Sequence, residues 1–222
     1  MSTQQAAPTC AMAWSGGKDS MLALDRLKRM GSQIPLLVTL YDEESQRVRF
    51  HGTPLAVMVA QAAALGIPLR AYATTPTTFA AVFLTALDDL RAAGIPALAF
   101  GDIHLADVRA WYEERVRAAG LDHIEPLWGE PPTVLVHEVI ERGYRAIITC
   151  IETARAPSAW LGCEITPALL ADFAAHGIDI CGERGEYHSL VIDGPAFHEP
   201  LAIQLGAIRT TNGFQQIDVQ QR

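Results

Sequence analysis

Residues 15–20 read Ser-Gly-Gly-Lys-Asp-Ser and lie between the apolar residues 12–14 and a stretch with helical apolar periodicity. Two adjacent glycines let the backbone turn tightly and approach a ligand without interference from a Cβ atom. Ser15 and Ser20 supply hydroxyls, and Lys18 supplies a mobile cation. A helix that follows such a turn directs its free N–H groups and its positive dipole end at the turn. The stretch therefore predicts a strand–loop–helix unit that binds an anion with several oxygens, such as a triphosphate.

Apolar runs alternate with amphipathic stretches through the first half of the chain. The pattern predicts strands at residues 12–14, 35–41, 69–73 and 97–100, and helices at residues 18–30, 54–65, 77–93 and 104–119. Such alternation is typical of βαβ units, which form a parallel twisted sheet with helices on both faces. The fold class is therefore α/β and Rossmann-like. Ligands bind at the carboxyl ends of strands in such sheets, so we expect Tyr41, Gly101 and Asp102 to meet the loop of residues 15–20 in one crevice.

The second half of the chain has a different pattern. Pro131 and Pro132 interrupt the alternation. Beyond them the pattern predicts helices at residues 133–142 and 166–176 and strands at residues 144–150 and 190–192. We therefore predict an N-terminal domain of residues 1–129 and a small C-terminal α+β lobe of residues 130–222.

A second polar cluster occurs in the C-terminal lobe, where residues 181–188 read Cys-Gly-Glu-Arg-Gly-Glu-Tyr-His. Two carboxylates, a phenol and an imidazole occur here close together, at Glu183, Glu186, Tyr187 and His188. Side chains of these types are suited to substrate positioning or to acid–base chemistry. A polar hairpin turn with solvated charges is the alternative interpretation. His51 follows an apolar stretch and precedes a predicted helix, so it is a further candidate for ligand contact or an ordinary capping loop residue.

Composition disfavours several classes of protein. A net charge of −8 disfavours a protein that holds a long nucleic acid by its phosphates. The modest basic cluster of Arg26, Lys28 and Arg29 is interpreted as a solvated helix face. Cys10, Cys150, Cys163 and Cys181 form no Cys-x-x-Cys pair, which argues against a zinc knuckle. Apolar runs are too short to span a membrane, and residues 1–10 lack the features of a signal peptide, so a cytoplasmic protein is expected.

The two polar stretches together resemble a known family. Residues 15–20 are similar to the loop of N-type ATP pyrophosphatases of the adenine nucleotide alpha hydrolase-like superfamily, and they lack the spacing of a Walker loop. In combination with residues 181–188 and the Asp-Gly-Pro of residues 193–195, they resemble the diphthine–ammonia ligase family. Related stretches at residues 101–103, 125–128 and 161–162 extend the resemblance over most of the chain.

This resemblance implies an ATP-dependent ligase that uses Mg²⁺, adenylates a carboxylate with release of pyrophosphate, and amidates it with ammonia. Residues 1–129 would bind ATP, and residues 130–222 would bind the acceptor. The resemblance assigns the phosphates to Ser15, Gly16, Gly17, Lys18, Asp19 and Ser20, and topology adds Tyr41, Gly101 and Asp102. It assigns the acceptor pocket to Glu183, Glu186, Tyr187 and His188, to which we add His51. Lys18, Asp19 and Glu186 are the expected catalytic residues, and Asp19 is the expected Mg²⁺ ligand.

Other functions stay open at this point. A tRNA-modifying ATP pyrophosphatase has the same kind of loop, although the acidic charge and the absence of Cys-x-x-Cys pairs count against it. A non-catalytic nucleotide-binding module, like the universal stress proteins, shares the sheet but lacks an early Ser-Gly-Gly-x-Asp-Ser. The acceptor is open too, because Arg184 stands where the family has a small residue and the Ala-rich chain resembles bacterial proteins, which are not expected to make diphthamide. A protein side chain or a small carboxylate, and a homodimer, remain compatible with the sequence.

Overall fold

The computed structural model describes residues 8–49 and 51–222. In chain order the elements are β1 (Ala11–Ala13), α1 (Lys18–Arg29), β2 (Leu37–Asp42), β3 (Arg47–Val48), α2 (Leu55–Ala64), β4 (Leu69–Thr74), α3 (Phe79–Ala92), β5 (Ala97–Ala99), α4 (Ala106–Ala118), β6 (Asp122–Ile124), α5 (Pro132–Glu141), β7 (Arg145–Glu152), a 3₁₀ turn (Ser158–Trp160), α6 (Pro167–His176), β8 (Tyr187–Asp193), β9 (Ile203–Thr211) and β10 (Phe214–Gln221).

Strands β4, β2, β1, β5 and β6 lie side by side in that order and are all parallel. The short strand β3 pairs antiparallel with the end of β2. The strand order changes direction at β1, whose neighbours are β2 and β5. The loops after β1 and β5 therefore diverge and open a crevice at the carboxyl edge of the sheet. The predicted α/β class is confirmed, with β3 as an antiparallel addition.

Alternate residues of each strand face opposite sides of this sheet. Met12 and Leu37 pack with side chains of α1 and α2 in one apolar cluster. Their neighbours Ala11 and Val38, together with Leu98, pack with α3 and α4 in a second cluster. Helices therefore cover both faces of the sheet, as the pattern predicts.

The C-terminal part of the chain forms an antiparallel sheet in the order β8-β7-β10-β9. The strand predicted at residues 190–192 is longer and begins at Tyr187, so Tyr187 and His188 lie on β8. The sequence does not predict β3, β6 or the hairpin of β9 and β10. Strands β3 and β6 are too short to show a pattern, and β9 is exposed along nearly its whole length, so it carries no apolar run.

One apolar cluster includes residues from both halves of the chain. It includes Met12 of β1, Leu135 of α5, Ile148 of β7, Phe173 of α6 and Tyr187 of β8. Elements from both sides of residue 129 therefore share a core. The division of the chain into residues 1–129 and 130–222 stays a prediction.

Helix α1, which carries the glycine loop, is fastened to α5. Arg26 donates hydrogen bonds to Glu130 (Nη2 to Oε2, 2.9 Å) and to Glu138 (Nε to Oε2, 3.2 Å). Tyr144 donates from its hydroxyl to Oδ1 of Asp25, 2.8 Å away. The interpretation of Arg26 as part of a solvated face is therefore wrong, because the carboxylates of Glu130 and Glu138 neutralise its guanidinium.

Candidate active site

The loop of residues 15–20 turns directly from β1 into α1. Gly16 has a φ of +76°, a conformation that favours glycine, and a Cβ atom there would lie 2.7 Å from Oε1 of Gln61. The peptide oxygen of Gly16 accepts hydrogen bonds from the amide of Val191 (2.9 Å) and from Nε2 of Gln61 (3.0 Å). Its neighbour Gly17 lies against His51, since a Cβ atom on Gly17 would be 3.2 Å from Cε1 of that ring. The tight turn thus depends on residues without side chains.

Gln61 is a supporting residue that sequence reasoning missed. It is fully buried; its Nε2 also donates to the peptide oxygen of Val191 (2.7 Å), and its Oε1 accepts from Nε1 of Trp14 (2.9 Å). The signal was present, because Gln61 is the one polar residue of the otherwise apolar helix α2. A buried amide with three partners fixes the loop against β8.

The hydroxyls of the loop bond within it. The Ser15 and Ser20 hydroxyls lie 3.2 Å apart, and the Ser20 hydroxyl donates to the peptide oxygen of Gly17 at 3.0 Å. Ser189 of β8 accepts from the amide of Lys18 at 3.2 Å. Gly101, after β5, packs against the first turn of α1, where a Cβ atom would lie 2.8 Å from the amide nitrogen of Ser20. The loop, β5 and β8 therefore converge on the N-terminus of α1.

Lys18 is the central cation of the site. It is only 2% exposed, and its ammonium donates to Oδ2 of Asp19 (2.8 Å) and to the peptide oxygen of Cys181. Its nitrogen lies 4.9 Å from the centroid of the Tyr187 ring. Burial acts to lower the pKa of Lys18, but the negative charge of Asp19 outweighs burial and holds the pKa well above its usual value. Lys18 therefore carries a fixed positive charge.

Carboxyl groups lie near this cation. Burial, reinforced by the charge of Asp19, raises the pKa of Asp102 to about 6. Burial and then the charge of Asp19 raise the pKa of Glu183 to about 8. At neutral pH Glu183 is therefore largely protonated, which reduces the negative charge that a bound phosphate group would meet.

Two imidazoles form a neutral pair beside the loop. The ring centroids of His51 and His188 lie 4.6 Å apart. Burial and the positive charge of Lys18 lower the pKa of His51 to about 4. Burial, followed by electrostatic repulsion from His51 and from Lys18, lowers the pKa of His188 well below its usual value. Both rings are therefore uncharged at neutral pH, and Nδ1 of His51 is buried without a hydrogen-bond partner among the described residues.

These groups line one crevice of about 1180 Å³. Of the residues that the sequence singles out, it includes Ser15, Lys18, Asp19, Ser20, His51, Gly101, Asp102, Glu183, Tyr187 and His188. Phe79, Phe83 and Tyr112 form an aromatic part of the wall. The volume and the mixture of apolar walls with a few charged groups are typical of a ligand site.

Four of the candidate residues do not line this crevice: Gly16, Gly17, Tyr41 and Glu186. Gly16 and Gly17 are buried within the turn. The Glu186 side chain is fully buried, where Oε1 accepts from Nη2 of Arg155 and from the amide of Asp179 (3.1 Å). Tyr41 lies on β2 between Leu40 and Asp42, which do line the crevice. Successive side chains of a strand point to opposite faces, so Tyr41 points away.

The carboxylates fit a Mg²⁺ ion only in part. Among residues 8–49 and 51–222, no three His, Cys, Asp or Glu side chains converge as a set of metal ligands. Mg²⁺ often binds through one or two carboxylates together with substrate phosphates. Asp19 and Asp102, which both line the crevice, fit an ion that arrives with a nucleotide.

The fold is an α/β parallel sheet whose switch point carries a glycine loop, a helix N-terminus and a buried lysine, an arrangement that is typical of phosphate-binding proteins. Comparison with known families specifies it further. Residues 8–123 match the family described as the diphthamide synthase N-terminal domain, and residues 131–221 match the diphthamide synthase C-terminal domain. The chain therefore belongs to the diphthamide synthase family and is an ATP-using enzyme. The predicted resemblance is confirmed.

Comparison with solved structures adds several matches. One of them, the predicted subunit of a tRNA methyltransferase from Methanocaldococcus jannaschii, is 17% identical, with a TM-score of 0.44 over 87% of this chain and 100% of that one. No curated protein sequence matches the chain. Within the described residues, no helix has the length and apolarity required to cross a bilayer.

Proposed function

We propose that the protein is an ATP-dependent ligase that adenylates a carboxylate and converts it to an amide with ammonia, like a diphthine–ammonia ligase. The observation that carries this proposal is the buried ammonium of Lys18 at the start of α1, directly after the tight turn that Gly16 and Gly17 form. A fixed cation and a helix N-terminus together stabilise negative charge on a polyphosphate.

The reaction has two steps. A carboxylate oxygen of the acceptor attacks the α-phosphorus of ATP, the bond to the bridging oxygen of the β-phosphate breaks, and pyrophosphate leaves with that electron pair. Ammonia then attacks the acyl carbon, AMP leaves, and one proton is released. In this scheme Lys18 stabilises the charge that develops on pyrophosphate, while Ser15 and Ser20 contact phosphate oxygens. Asp19 and Asp102 would hold Mg²⁺, which neutralises phosphate charge when it is bound.

We assign the acceptor to the side of the crevice formed by β8 and by His51, which follows β3 by three residues. His51 and His188 present uncharged nitrogens there, and Glu183 is largely protonated at neutral pH. An acceptor carboxylate would therefore meet little negative charge from the protein. The hydroxyl of Tyr187 donates to the peptide oxygen of Ile180 at 2.7 Å, so we assign its ring to the support of Lys18.

The test is ATP turnover with Mg²⁺ and ammonium over a panel of carboxylates, including a diphthine-bearing protein. The products distinguish the reactions, since AMP with pyrophosphate indicates adenylation and ADP with phosphate would contradict it. Lys18→Ala should lower AMP formation by about 10²–10³-fold, the usual effect of losing one group that stabilises developing charge. Lys28→Ala is the matched control, because Lys28 is the second of the two lysines of the chain and lies exposed on the same helix.

Other outcomes would assign the chain to a different class. AMP release that requires tRNA and no carboxylate would indicate a tRNA-modifying enzyme. Tight ATP binding without cleavage under every condition would favour a nucleotide-binding module.

A further inference from the structure

A continuous chain of contacts connects Glu186, outside the crevice, with the ammonium of Lys18 inside it. Oε1 of Glu186 accepts from the amide of Asp179 at 3.1 Å. Oδ1 of Asp179 accepts from the amide of Cys181 at 2.8 Å. The peptide oxygen of Cys181 accepts from Nζ of Lys18. A side chain of the C-terminal lobe is thus three hydrogen bonds away from the central cation of the phosphate loop.

The segment between Asp179 and Glu186 forms turns that leave the Cys181 carbonyl pointing at the site. The amide of Gly182 donates to the peptide oxygen of Asp179 at 2.9 Å. The amide of Gly185 donates to the peptide oxygen of Gly182 at 3.0 Å. Glu186 joins both ends of this segment, because its side chain holds residue 179 while its own peptide oxygen accepts from the amide of Glu152 at 2.9 Å. The direction of the carbonyl therefore depends on Glu186.

We propose that Glu186 is a positioning residue for Lys18: its side-chain oxygen fixes the turn that starts at residue 179, and the carbonyl of Cys181 then holds the ammonium in one direction. A lysine ammonium has three donors. Asp19 and Cys181 engage two of them, which leaves one for a phosphate oxygen. This assignment rests on the proposed function, in which Lys18 stabilises phosphate charge.

The burial of Glu186 agrees with a positioning role. Its side chain is 0% exposed, whereas its partner Arg155 is 34% exposed. A buried ion pair of this kind adds little net stability compared with apolar side chains of similar volume. What Glu186 provides that an apolar residue cannot is a hydrogen-bond acceptor for the amide of Asp179.

Two substitutions distinguish positioning from acid–base catalysis. Glu186→Leu keeps the volume but removes the acceptor, whereas Glu186→Gln keeps an oxygen for Asp179 and Arg155. Positioning predicts that Glu186→Leu lowers kcat for AMP formation by about 10²-fold, the usual effect of displacing a catalytic group by about 1 Å, with a smaller change in KM. Glu186→Gln should lose less than tenfold. A loss as large for Glu186→Gln as for Glu186→Leu would overturn the proposal, because it would indicate a role for the ionised or protonated carboxyl.

Lysine NMR tests the same idea without turnover. Lys18 and Lys28 are the two lysines of the chain, so isotope-labelled lysine gives one side-chain signal from the site and one internal reference. In Glu186→Leu the Lys18 signal should move toward that of exposed Lys28, with the Lys28 signal unchanged. Glu164→Gln, which removes the surface pair of Glu164 with Arg145, is the matched control and should move neither signal. An unmoved Lys18 signal in a folded Glu186→Leu protein would overturn the proposal even if AMP formation is confirmed.

A double-variant cycle provides the last test. Since Glu186 acts through Lys18, Glu186→Leu should have no further effect on ATP affinity or turnover in a Lys18→Ala background. Equal losses in the two backgrounds would contradict the proposal. If Glu186→Leu does not fold, Asp179→Ala replaces it, because it removes the next link of the same chain, in which Oδ1 of Asp179 accepts from the amide of Cys181 at 2.8 Å. If no acceptor supports turnover, the NMR shift and the ATP affinity still decide the proposal.

Discussion

The two polar stretches of the crevice, residues 15–20 and residues 181–188, differ in how their side chains reach it. In the first, the turn itself brings Ser15, Lys18, Asp19 and Ser20 to the crevice. In the second, Glu183 lines the crevice, whereas Glu186, three residues later, is buried against Arg155. A loop whose shape follows from its glycines can be interpreted from residue types alone. A segment between two packed elements cannot, because partners distant in sequence decide which side chain faces the ligand.

The largest effect on ATP affinity is expected at Gly101, which lies outside both stretches but packs against the backbone of residues 19 and 20. A Cβ atom there would lie 2.8 Å from the amide nitrogen of Ser20 and 2.9 Å from the carbonyl carbon of Asp19. These are backbone atoms of α1, so Gly101→Ala must displace the first turn of the helix. We expect ATP affinity, measured by calorimetry, to fall by about 10²-fold, the usual effect of a displacement of about 1 Å at a site.

Gly185→Ala is the control for Gly101→Ala. Gly185 has a φ of +84°, and a Cβ atom there would meet nothing within 4 Å. Its substitution should cost about 1–2 kcal/mol of backbone strain and leave ATP affinity nearly unchanged. If Gly185→Ala weakened ATP binding as strongly as Gly101→Ala, ATP affinity would depend as much on the backbone of residues 181–188 as on that of residues 15–20. The comparison between the two stretches would then fail.

The regular part of the fold could be predicted from the sequence because its signals are local. Strands buried on both faces show as continuous apolar runs, and glycines mark the ends of helices. Thr166 shows how local such a signal is, since its side chain caps α6 by accepting from the amide of Leu169 at 3.4 Å. Strand β9 gives no such signal because it is exposed along nearly its whole length.

The candidate site could be predicted only where backbone shape determines it. Gln61 was missed because its function depends on Trp14 and Val191, which lie far from it in sequence. Tyr41 was assigned to the crevice because it ends a predicted strand, but the alternation of β2 turns its side chain away. A chain position at a strand end therefore identifies the edge of the sheet, not the direction of the side chain.

A smaller effect is expected when pH is varied, and it tests the role of Glu183 in the second stretch. The pKa of Asp102 is raised to about 6 and that of Glu183 to about 8, so negative charge accumulates beside the phosphate loop as pH rises through these values. In the absence of Mg²⁺, ATP affinity should therefore fall in two steps, near pH 6 and near pH 8. Glu183→Gln should abolish the step near pH 8 and leave the other. Calorimetry between pH 5 and pH 9 measures both.

Stability should depend on Glu183 in the same direction. A carboxyl whose pKa is higher in the folded than in the unfolded protein binds its proton more tightly when folded, so stability is lost as pH rises from its usual value of 4.5 to about 8. Glu183→Gln should thus raise the melting temperature relative to wild type at pH 9 and have little effect at pH 4. Equal melting temperatures of Glu183→Gln and wild type at pH 9 would contradict the raised pKa of Glu183.

The smallest effect is expected at His51, which contacts both stretches through Gly17 and His188. Its pKa is lowered to about 4, so the ring is neutral from pH 5 upward and His51→Asn removes no charge there. The pH dependence of ATP affinity between pH 5 and pH 8 should keep its shape in this variant. Below pH 6.5 the unfolded protein gains a proton at residue 51 that the folded protein does not bind until about pH 4. Wild type should therefore lose stability over this range, and His51→Asn should lose less. An ATP-affinity step near pH 6.5 that His51→Asn abolishes would contradict this prediction. Such a step would mean that the ring becomes charged in the folded protein and that burial does not govern the contact between the two stretches.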